Sequence, residues 1–178
     1  MTHNAKTLAT VWLDGCSGCH MSLLDMDERL IELSSQFQLV YSPLVDRKIF
    51  PDRVDVTLVE GAVASEEDLR KIRKIREHTR VLVSLGDCAL TGNVSAMRNT
   101  CGPLPVLVRV YEENADLNRQ VPTVGVPALL DRVRPVHEVV PVDVFVPGCP
   151  PSADTIYQVL SELLAGHVPT LGGVAHFG

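Results

Sequence analysis

Short apolar runs alternate along the chain with stretches in which apolar residues recur at helical spacing. The runs predict five β-strands, at Leu8–Leu13, Phe37–Tyr41, Val54–Val59, Val81–Leu85 and Asp143–Val146. Strands that alternate with helices are joined by right-handed crossovers, which place the strands side by side with helices on both faces. The pattern therefore predicts an α/β fold with a doubly wound parallel sheet.

Three helices carry sequence signals of their own. The first is expected from a weak capping box at Ser22–Asp25, followed by the apolar stripe Leu23, Leu24, Leu30 and Ile31. The second is expected to begin at Ser65–Asp68 and to turn Leu69, Ile72 and Ile75 inward. The last is expected to be capped by Ser152 and ended by Gly166, with the stripe Ile156, Val159, Leu160, Leu163 and Leu164.

Residues 100–141 differ in character from the rest of the chain. Nine of the twelve prolines fall within residues 103–151, so a long, irregular and extended Pro-rich segment is expected here. Its apolar residues show neither helical nor strand spacing; they are Leu104, Val106, Leu107, Val108, Val121, Val124, Val126, Leu129 and Leu130. We interpret them as an interface with a partner subunit rather than as a satellite core.

The composition narrows the classes of function. The 178 residues, 46% of them hydrophobic, suffice for a single domain over residues 1–178 with its own core. A formal net charge of −6 argues against nucleic acid as the main partner. No apolar run approaches the roughly 20 residues that span a bilayer. The N-terminal residues show no export signal, so a cytoplasmic location is expected.

Four of the five cysteines follow predicted strands. Cys16 and Cys19 form a C-x-x-C after the first strand, Cys88 follows the fourth strand, and Cys149 follows the fifth. Because the carboxyl ends of parallel strands meet at one edge of a sheet, these four thiols are expected to lie together. Cys101 follows no predicted strand and is interpreted as a buried packing thiol.

Three chemistries fit a C-x-x-C at a strand end: a thioredoxin-like redox pair, a zinc site or an iron–sulfur cluster. A redox pair would leave Cys88 and Cys149 without a role. Zinc with four thiolates commonly uses two local C-x-x-C pairs, whereas this chain offers one pair and two single cysteines. The spacing favours a 4Fe–4S cluster and leaves zinc open. Neither G-x-G-x-x-G nor a P-loop motif occurs, so NAD binding by this chain is not expected.

Four motifs occur in order along the chain: Gly15–Cys19, Val59–Ala62, Gly86–Gly92 and Gly148–Pro151. They resemble the small subunit of nickel–iron hydrogenases, and residues 12–28 are most similar to the soluble NAD(P)-reducing, bidirectional branch. The resemblance implies a flavodoxin-like fold that carries a 4Fe–4S cluster beside the nickel–iron site of a large partner subunit. It also implies the ligands Cys16, Cys19, Cys88 and Cys149. Electrons would then pass from the H2-splitting site through this chain to diaphorase subunits that reduce NAD.

Two departures narrow this resemblance. Many hydrogenase small subunits continue into a cysteine-rich domain with further clusters, whereas only twelve residues and no cysteine follow Gly166, so one cluster is implied. The related subunit of respiratory complex I shares the fold but has adjacent cysteines in its first motif. The two residues between Cys16 and Cys19 favour the hydrogenase, and an electron-relay subunit of complex I type is the alternative. Flavodoxin-like folds often bind FMN. Here the C-x-x-C occupies the loop that would hold the FMN phosphate, so FMN is kept only as a secondary candidate.

Glu60 ends the third predicted strand and is expected at the same edge as the thiols, where the resemblance also places an acidic residue. A cluster held by four thiolates is negative and would disfavour ionisation of a nearby carboxyl group. Such a carboxyl could couple proton uptake to cluster reduction, or bind an iron. In the structural alternative, Glu60 accepts hydrogen bonds from backbone N–H groups of the loop opened by Gly61, which favours the ionised form.

Overall fold

The computed structural model describes residues 5–169 and residue 171. Within them the strands are β1 (Lys6–Trp12), β2 (Phe37–Tyr41), β3 (Val54–Glu60), β4 (Val63–Ser65), β5 (Thr79–Leu85), β6 (Leu129–Arg134) and β7 (Val144–Val146). The α-helices are α1 (Gly18–Leu24), α2 (Glu28–Ser34), α3 (Glu66–Glu77), α4 (Asp87–Thr91), α5 (Pro103–Val108) and α6 (Ala153–Ala165). No helix in these ranges is long and apolar enough to cross a membrane.

The main sheet is parallel throughout and has the strand order β2-β1-β3-β5-β7. Its strands, numbered within the sheet alone, follow the flavodoxin-like order 2-1-3-4-5. The chain reverses its direction of winding between β1 and β3, and ligands of such sheets bind at the carboxyl ends of the strands near that point. The predicted α/β class and the five predicted strands are confirmed.

Helices cover both faces of the sheet and complete two apolar cores. On one face, α1, α2 and α6 pack over Leu8, Val56 and Leu58. On the other face, α3 and α4 pack over Val11, Val59 and Leu82. Since successive strand residues point to opposite faces, Leu58 and Val59 of β3 pack in different cores.

Two predicted helix starts are confirmed by their caps. The Ser65 side chain accepts a hydrogen bond from the backbone N–H of Asp68 at 3.1 Å, and Asp68 accepts one from the Ser65 N–H at 3.0 Å. Ser152 accepts a hydrogen bond from the Thr155 N–H at 3.2 Å and opens α6. Both helices therefore begin where their side chains satisfy otherwise unpaired N–H groups.

The first predicted helix is wrong in its start and its continuity. It begins at Gly18, so Ser22 lies inside α1, where its hydroxyl donates to the carbonyl oxygen of Pro151 at 2.5 Å. Asp27 adopts a φ of +50°, a backbone conformation that interrupts the helix before α2. The stripe expected across one helix is thereby divided, and Leu24 and Ile31 are exposed.

The expectation of an irregular extended segment over residues 100–141 is wrong in part. This region contains α5, a π-helical turn at Arg109–Glu113, β6 and a 3₁₀ turn at Val136–Glu138. β6 pairs antiparallel with β4. Arg98, on the preceding 3₁₀ helix Asn93–Thr100, donates to the carbonyl oxygens of Leu130 and Ala64 at 2.8 Å each. β4 and β6 form a separate two-stranded sheet, and these long-range bonds fasten the 3₁₀ helix to both of its strands.

Candidate functional site

The four strand-end cysteines lie together at the carboxyl ends of the main sheet. Cys16 precedes α1, Cys19 lies in its first turn, Cys88 lies in α4 directly after β5, and Cys149 follows β7. All four are free thiols and share one small cavity, which is lined by Cys16, Gly18, Cys19, Glu60, Asp87, Cys88, Gly148, Cys149 and Pro150. We call this arrangement the thiol edge.

Cys101 lies elsewhere and does not line this cavity. It is exposed at the end of the 3₁₀ helix, with its Sγ 3.5 Å from the carbonyl oxygen of Arg98. The interpretation of Cys101 as a buried packing thiol is therefore wrong, because no strand carries this residue into a core. Its exclusion from the thiol edge agrees with the sequence prediction.

The thiol edge is buried on its inner side and open on its outer side. Cys19 is buried and Cys88 half-buried, whereas Cys16 and Cys149 are exposed. Burial raises the pKa of Cys19, and the nearby Glu60 and the other three thiols raise it further. Burial also raises the pKa of Cys88, followed by the effects of Cys149 and Cys16. The two inner thiols are therefore protonated at neutral pH, and a metal bound there must displace their protons.

Two N–H groups point at sulfur atoms of the outer cysteines. The backbone N–H of Gly18 donates to Cys16 Sγ at 3.4 Å, and the side-chain amide of Asn93 donates to Cys149 Sγ at 3.3 Å. Hydrogen bonds to sulfur ligands are one of the features that tune the reduction potential of iron–sulfur clusters.

Gly86 leaves the space that Cys19 occupies. Its φ is +80°, in a region that residues with a Cβ rarely adopt, and a Cβ added there would lie 2.2 Å from Cys19 Sγ. Two independent reasons therefore require a glycine at position 86: the backbone conformation and the thiol of Cys19 beside it.

The loops after β5 and β7 are locked to each other through Asp87. The Gly148 N–H donates to Asp87 Oδ1 at 2.7 Å, and the Asp87 N–H donates to the Gly148 carbonyl oxygen at 2.9 Å. The buried carboxyl group of Asp87 thus fixes the position of Cys149 relative to Cys88.

Glu60 lies at the thiol edge, as its place at the end of β3 predicts, and is buried. Its Oε2 accepts the backbone N–H of His20 at 2.8 Å and also contacts the ring Nδ1 of His20. The structural alternative expected backbone donors from the loop at Gly61, but the backbone donor comes from α1 instead. The contact with the His20 ring appears in neither interpretation.

Sequence reasoning missed the supporting residues of the site. Asp87 stands in the G-D-C motif without a predicted role, and His20 directly follows the C-x-x-C. Asn93 has no motif of its own. Their partners lie at least 40 residues away along the chain, so no local pattern signals these contacts.

The donor set fits a cluster better than a single ion. Within residues 5–169, no three His, Cys, Asp or Glu side chains are placed to hold one metal ion. Zinc with four thiolates requires every sulfur at about 2.3 Å from the same ion. In a 4Fe–4S cube each thiolate binds its own iron, so the sulfurs lie farther apart. Four free thiols line one cavity, which is the number of thiolate ligands that such a cluster takes.

Sequence comparisons match this chain to known oxidoreductase subunits. Residues 16–163 match the family described as NADH ubiquinone oxidoreductase, 20 Kd subunit. The chain is 41% identical to the NAD-reducing hydrogenase HoxS subunit delta of Cupriavidus necator, with 89% of this chain and 78% of that protein covered. It is 35% identical to a subunit of the F420-non-reducing hydrogenase vhu of Methanocaldococcus jannaschii, covering 94% of this chain but 59% of that longer protein.

Solved structures agree with the sequence comparison. A chain in the crystal structure of an NAD+-reducing [NiFe]-hydrogenase in the H2-reduced state superposes with a TM-score of 0.94 at 36% identity, covering 98% of this chain and 100% of that one. A [NiFeSe]-hydrogenase chain from Dm. baculatum shares the fold, with a TM-score of 0.57 at 19% identity, covering 91% of this chain and 62% of that one. The chain therefore belongs to the family of the NADH ubiquinone oxidoreductase 20 Kd subunit and, within it, is a small hydrogenase subunit of the NAD-reducing type.

Proposed function

We propose that this chain is the electron-transfer subunit of an NAD-reducing nickel–iron hydrogenase and holds one 4Fe–4S cluster on Cys16, Cys19, Cys88 and Cys149. The convergence of four free thiols from three strand ends on one cavity carries this proposal. The relatives named as NAD-reducing hydrogenase support the choice of reaction.

When bound, the cluster supplies reversible one-electron transfer. The chain's own residues hold it: two loops locked through Asp87 fix Cys88 and Cys149, and the start of α1 fixes Cys16 and Cys19. The inner side excludes water because Cys19 and Glu60 are buried. The Gly18 N–H and the Asn93 side-chain amide donate to the sulfur atoms of the outer cysteines.

We further propose that residues 103–129, here called the apolar segment, contact the large nickel–iron subunit. None of the nine apolar residues singled out in the sequence is buried, and Val124 is 91% exposed. Leu104, Leu107 and Tyr111 line a mainly apolar groove of about 480 Å³ in this segment.

Exposed apolar side chains also occur on the 3₁₀ helix Asn93–Thr100, which precedes the apolar segment along the chain. Met97 and Val94 are exposed, and the neighbouring Asn93 contacts Cys149. A partner seated on these side chains therefore also approaches the open side of the thiol edge, as electron transfer between subunits requires.

The remaining assignments are extensions of the same proposal. Diaphorase subunits would accept the electrons and reduce NAD, and the complex would act in the cytoplasm. FMN stays only a secondary candidate. The C-x-x-C begins in the loop before α1, which is the loop that would have to hold the FMN phosphate. Release of flavin from acid-treated purified protein, measured by fluorescence, tests that candidate directly.

The predicted role of Glu60 in coupling proton uptake to cluster reduction also stays a prediction. A redox titration across several pH values, on the wild-type complex and on Glu60→Gln, tests it. An equal pH slope of the cluster potential in both proteins, with unchanged turnover, would make Glu60 structural.

Iron and acid-labile sulfide analysis of the anaerobically purified complex tests the central proposal. Four irons and four sulfides per chain, beyond those on other subunits, are expected for a 4Fe–4S cluster. Stoichiometric zinc without sulfide would support the structural zinc alternative instead.

The family description leaves one second candidate, an electron-relay subunit of complex I type. Reduction of the cluster by H2 in the assembled complex distinguishes the two. A cluster that NADH and quinol reduce but H2 does not would favour the complex I type.

A further inference from the structure

A row of buried polar side chains lies behind the thiol edge. Glu60, His20, Thr10 and Ser42 are each at most 4% exposed. Glu60 contacts the His20 ring, His20 Nε2 lies 3.0 Å from Thr10 Oγ1, and Thr10 Oγ1 lies 2.8 Å from Ser42 Oγ. The row therefore runs from the cysteine cavity to the carboxyl end of β2.

The sheet and α1 bring these residues together. Thr10 in β1 and Glu60 in β3 alternate with residues of the opposite core, so both point to the face that α1 covers. His20 lies in α1 and is buried against that face. None of the four residues needs a partner subunit to reach its neighbour.

The hydrogen bonds give the row a fixed direction. The Thr10 hydroxyl donates to Ser42 Oγ, which also accepts the Leu44 N–H at 3.2 Å. Thr10 Oγ1 is therefore left to accept a hydrogen bond, and the hydrogen-bond pattern assigns that hydrogen to His20 Nε2. The ring is thereby oriented with Nδ1 toward Glu60.

Two contacts hold one oxygen of the Glu60 carboxyl group. The backbone N–H and the ring Nδ1 of His20 both meet Glu60 Oε2. Because Nε2 already carries a hydrogen toward Thr10, the Nδ1 contact needs one further proton shared between the ring and the carboxyl group. Glu60 Oε1 is the oxygen left for the cavity that Glu60 shares with the four cysteines. A carboxyl group held in this way cannot rotate without breaking buried hydrogen bonds, which is costly in a low-dielectric interior.

We propose that His20 and Thr10 are positioning residues, which fix the Glu60 carboxyl beside the cluster and through it set the reduction potential of the cluster. The inference rests on the proposed function, because it requires a cluster on the four thiols. The potential of such a cluster depends on nearby charge and hydrogen bonding, and a charge acts more strongly at a fixed, buried position.

The test uses the assembled hydrogenase complex and a matched pair of variants. Thr10→Val removes the hydroxyl that orients His20, with little change in shape. Thr57→Val is the control: Thr57 is fully buried in β3, and its hydroxyl contacts only Thr79 Oγ1 among the described residues, at 2.9 Å on the opposite face of the sheet. Iron content is measured first, followed by the midpoint potential and the electron paramagnetic resonance spectrum of the reduced cluster at one pH.

Thr10→Val is expected to keep its iron and to shift the midpoint potential in the same direction as Glu60→Gln, by a smaller amount. Thr57→Val is expected to keep the wild-type potential and spectrum, and Thr10→Ser to restore them. A Thr10→Val potential equal to that of Thr57→Val, or shifted opposite to Glu60→Gln, would overturn the inference.

If the complex that carries Thr10→Val does not assemble, Ser42→Ala is the variant that tests the inference. That change removes the acceptor of the Thr10 hydroxyl from the far end of the row, and an unchanged potential there would equally overturn the inference. Absence of cluster iron in the wild-type complex would instead overturn the proposed function, and this inference with it.

Discussion

At the thiol edge, each loop that carries a cysteine leaves directly from a buried strand, whereas the apolar segment is joined to the sheet through β4, β6 and the side chain of Arg98. The thiol edge holds its cysteines with glycine, Asp87 and N–H donors from the chain itself. In the apolar segment none of the apolar side chains is buried, and several, such as Leu104 and Val124, are exposed. The four thiols thus come from one chain, whereas we propose the segment beside them as the contact with a second chain.

Loss of any thiol at the edge should have the largest effect. Replacing Cys16, Cys19, Cys88 or Cys149 by Ala is expected to remove the cluster iron and its visible absorption, because all four thiolates hold one cluster. Iron analysis and absorption spectra of the anaerobic protein measure this. Cys101→Ala is the control, since that thiol lies outside the cavity. Full iron in Cys149→Ala with loss in Cys101→Ala would reverse the assignment.

The second-largest effect is expected from a substitution at Gly86, which fills the space beside Cys19. Gly86→Ala and Gly102→Ala place a Cβ on nearly the same backbone, with φ of +80° and +78°. Each should cost about 1–3 kcal/mol in the free energy of unfolding from backbone strain. Only the Gly86 variant meets a thiol, because nothing lies within 4 Å of a Cβ at Gly102. Loss of iron is therefore expected in Gly86→Ala alone, and equal iron contents would contradict the described packing.

Alkaline pH should destabilise the cluster-free chain through its inner thiols. The folded pKa of Cys19 and of Cys88 is raised, so their contribution to stability is present below the unfolded value near 8.5 and is lost as pH rises above it. The loss is at most about 1.4 kcal/mol for each pH unit per thiol. Urea unfolding at several pH values should show a shallower decline in Cys19→Ala. An identical decline in both proteins would place the titrating groups elsewhere.

A polar change in the apolar segment should have the smallest effect of these four. Leu104→Ser is expected to weaken binding of the large subunit about fivefold, close to 1 kcal/mol for a partly buried Leu side chain. The stability of the chain itself should not change, since this side chain is 64% exposed. Ile49→Ser, on the exposed loop between β2 and β3, is the matched control. If the two variants bind the large subunit with equal affinity, the apolar segment is not part of the interface.

The positions of the cysteines could be predicted from the sequence because they depend on local signals. Each strand of the main sheet is an apolar run, and the edge at which its last residue lies follows from the parallel order. Ser65 and Ser152 are equally local, since a cap and its partner lie three residues apart. The equally local capping box at Ser22 failed, because Ser22 lies inside α1 and its hydroxyl donates to the carbonyl oxygen of Pro151.

The missed features depend on residues that are distant in sequence. β4 has only three residues, and its pairing with β6 leaves no pattern in either segment. The contact of His20 with Glu60 joins positions 40 residues apart. The break at Asp27 has a different cause, because a helical apolar spacing continues across it while the tertiary packing favours two short helices.

The unequal exposure of the four thiols bears on the order in which the proposed cluster and the partner subunits are added to this chain. Cys19 lies at the bottom of the site, while Cys16 and Cys149 lie at its rim. Iron and sulfide for the proposed cluster would therefore enter through the rim, before any subunit that covers the rim docks on this chain.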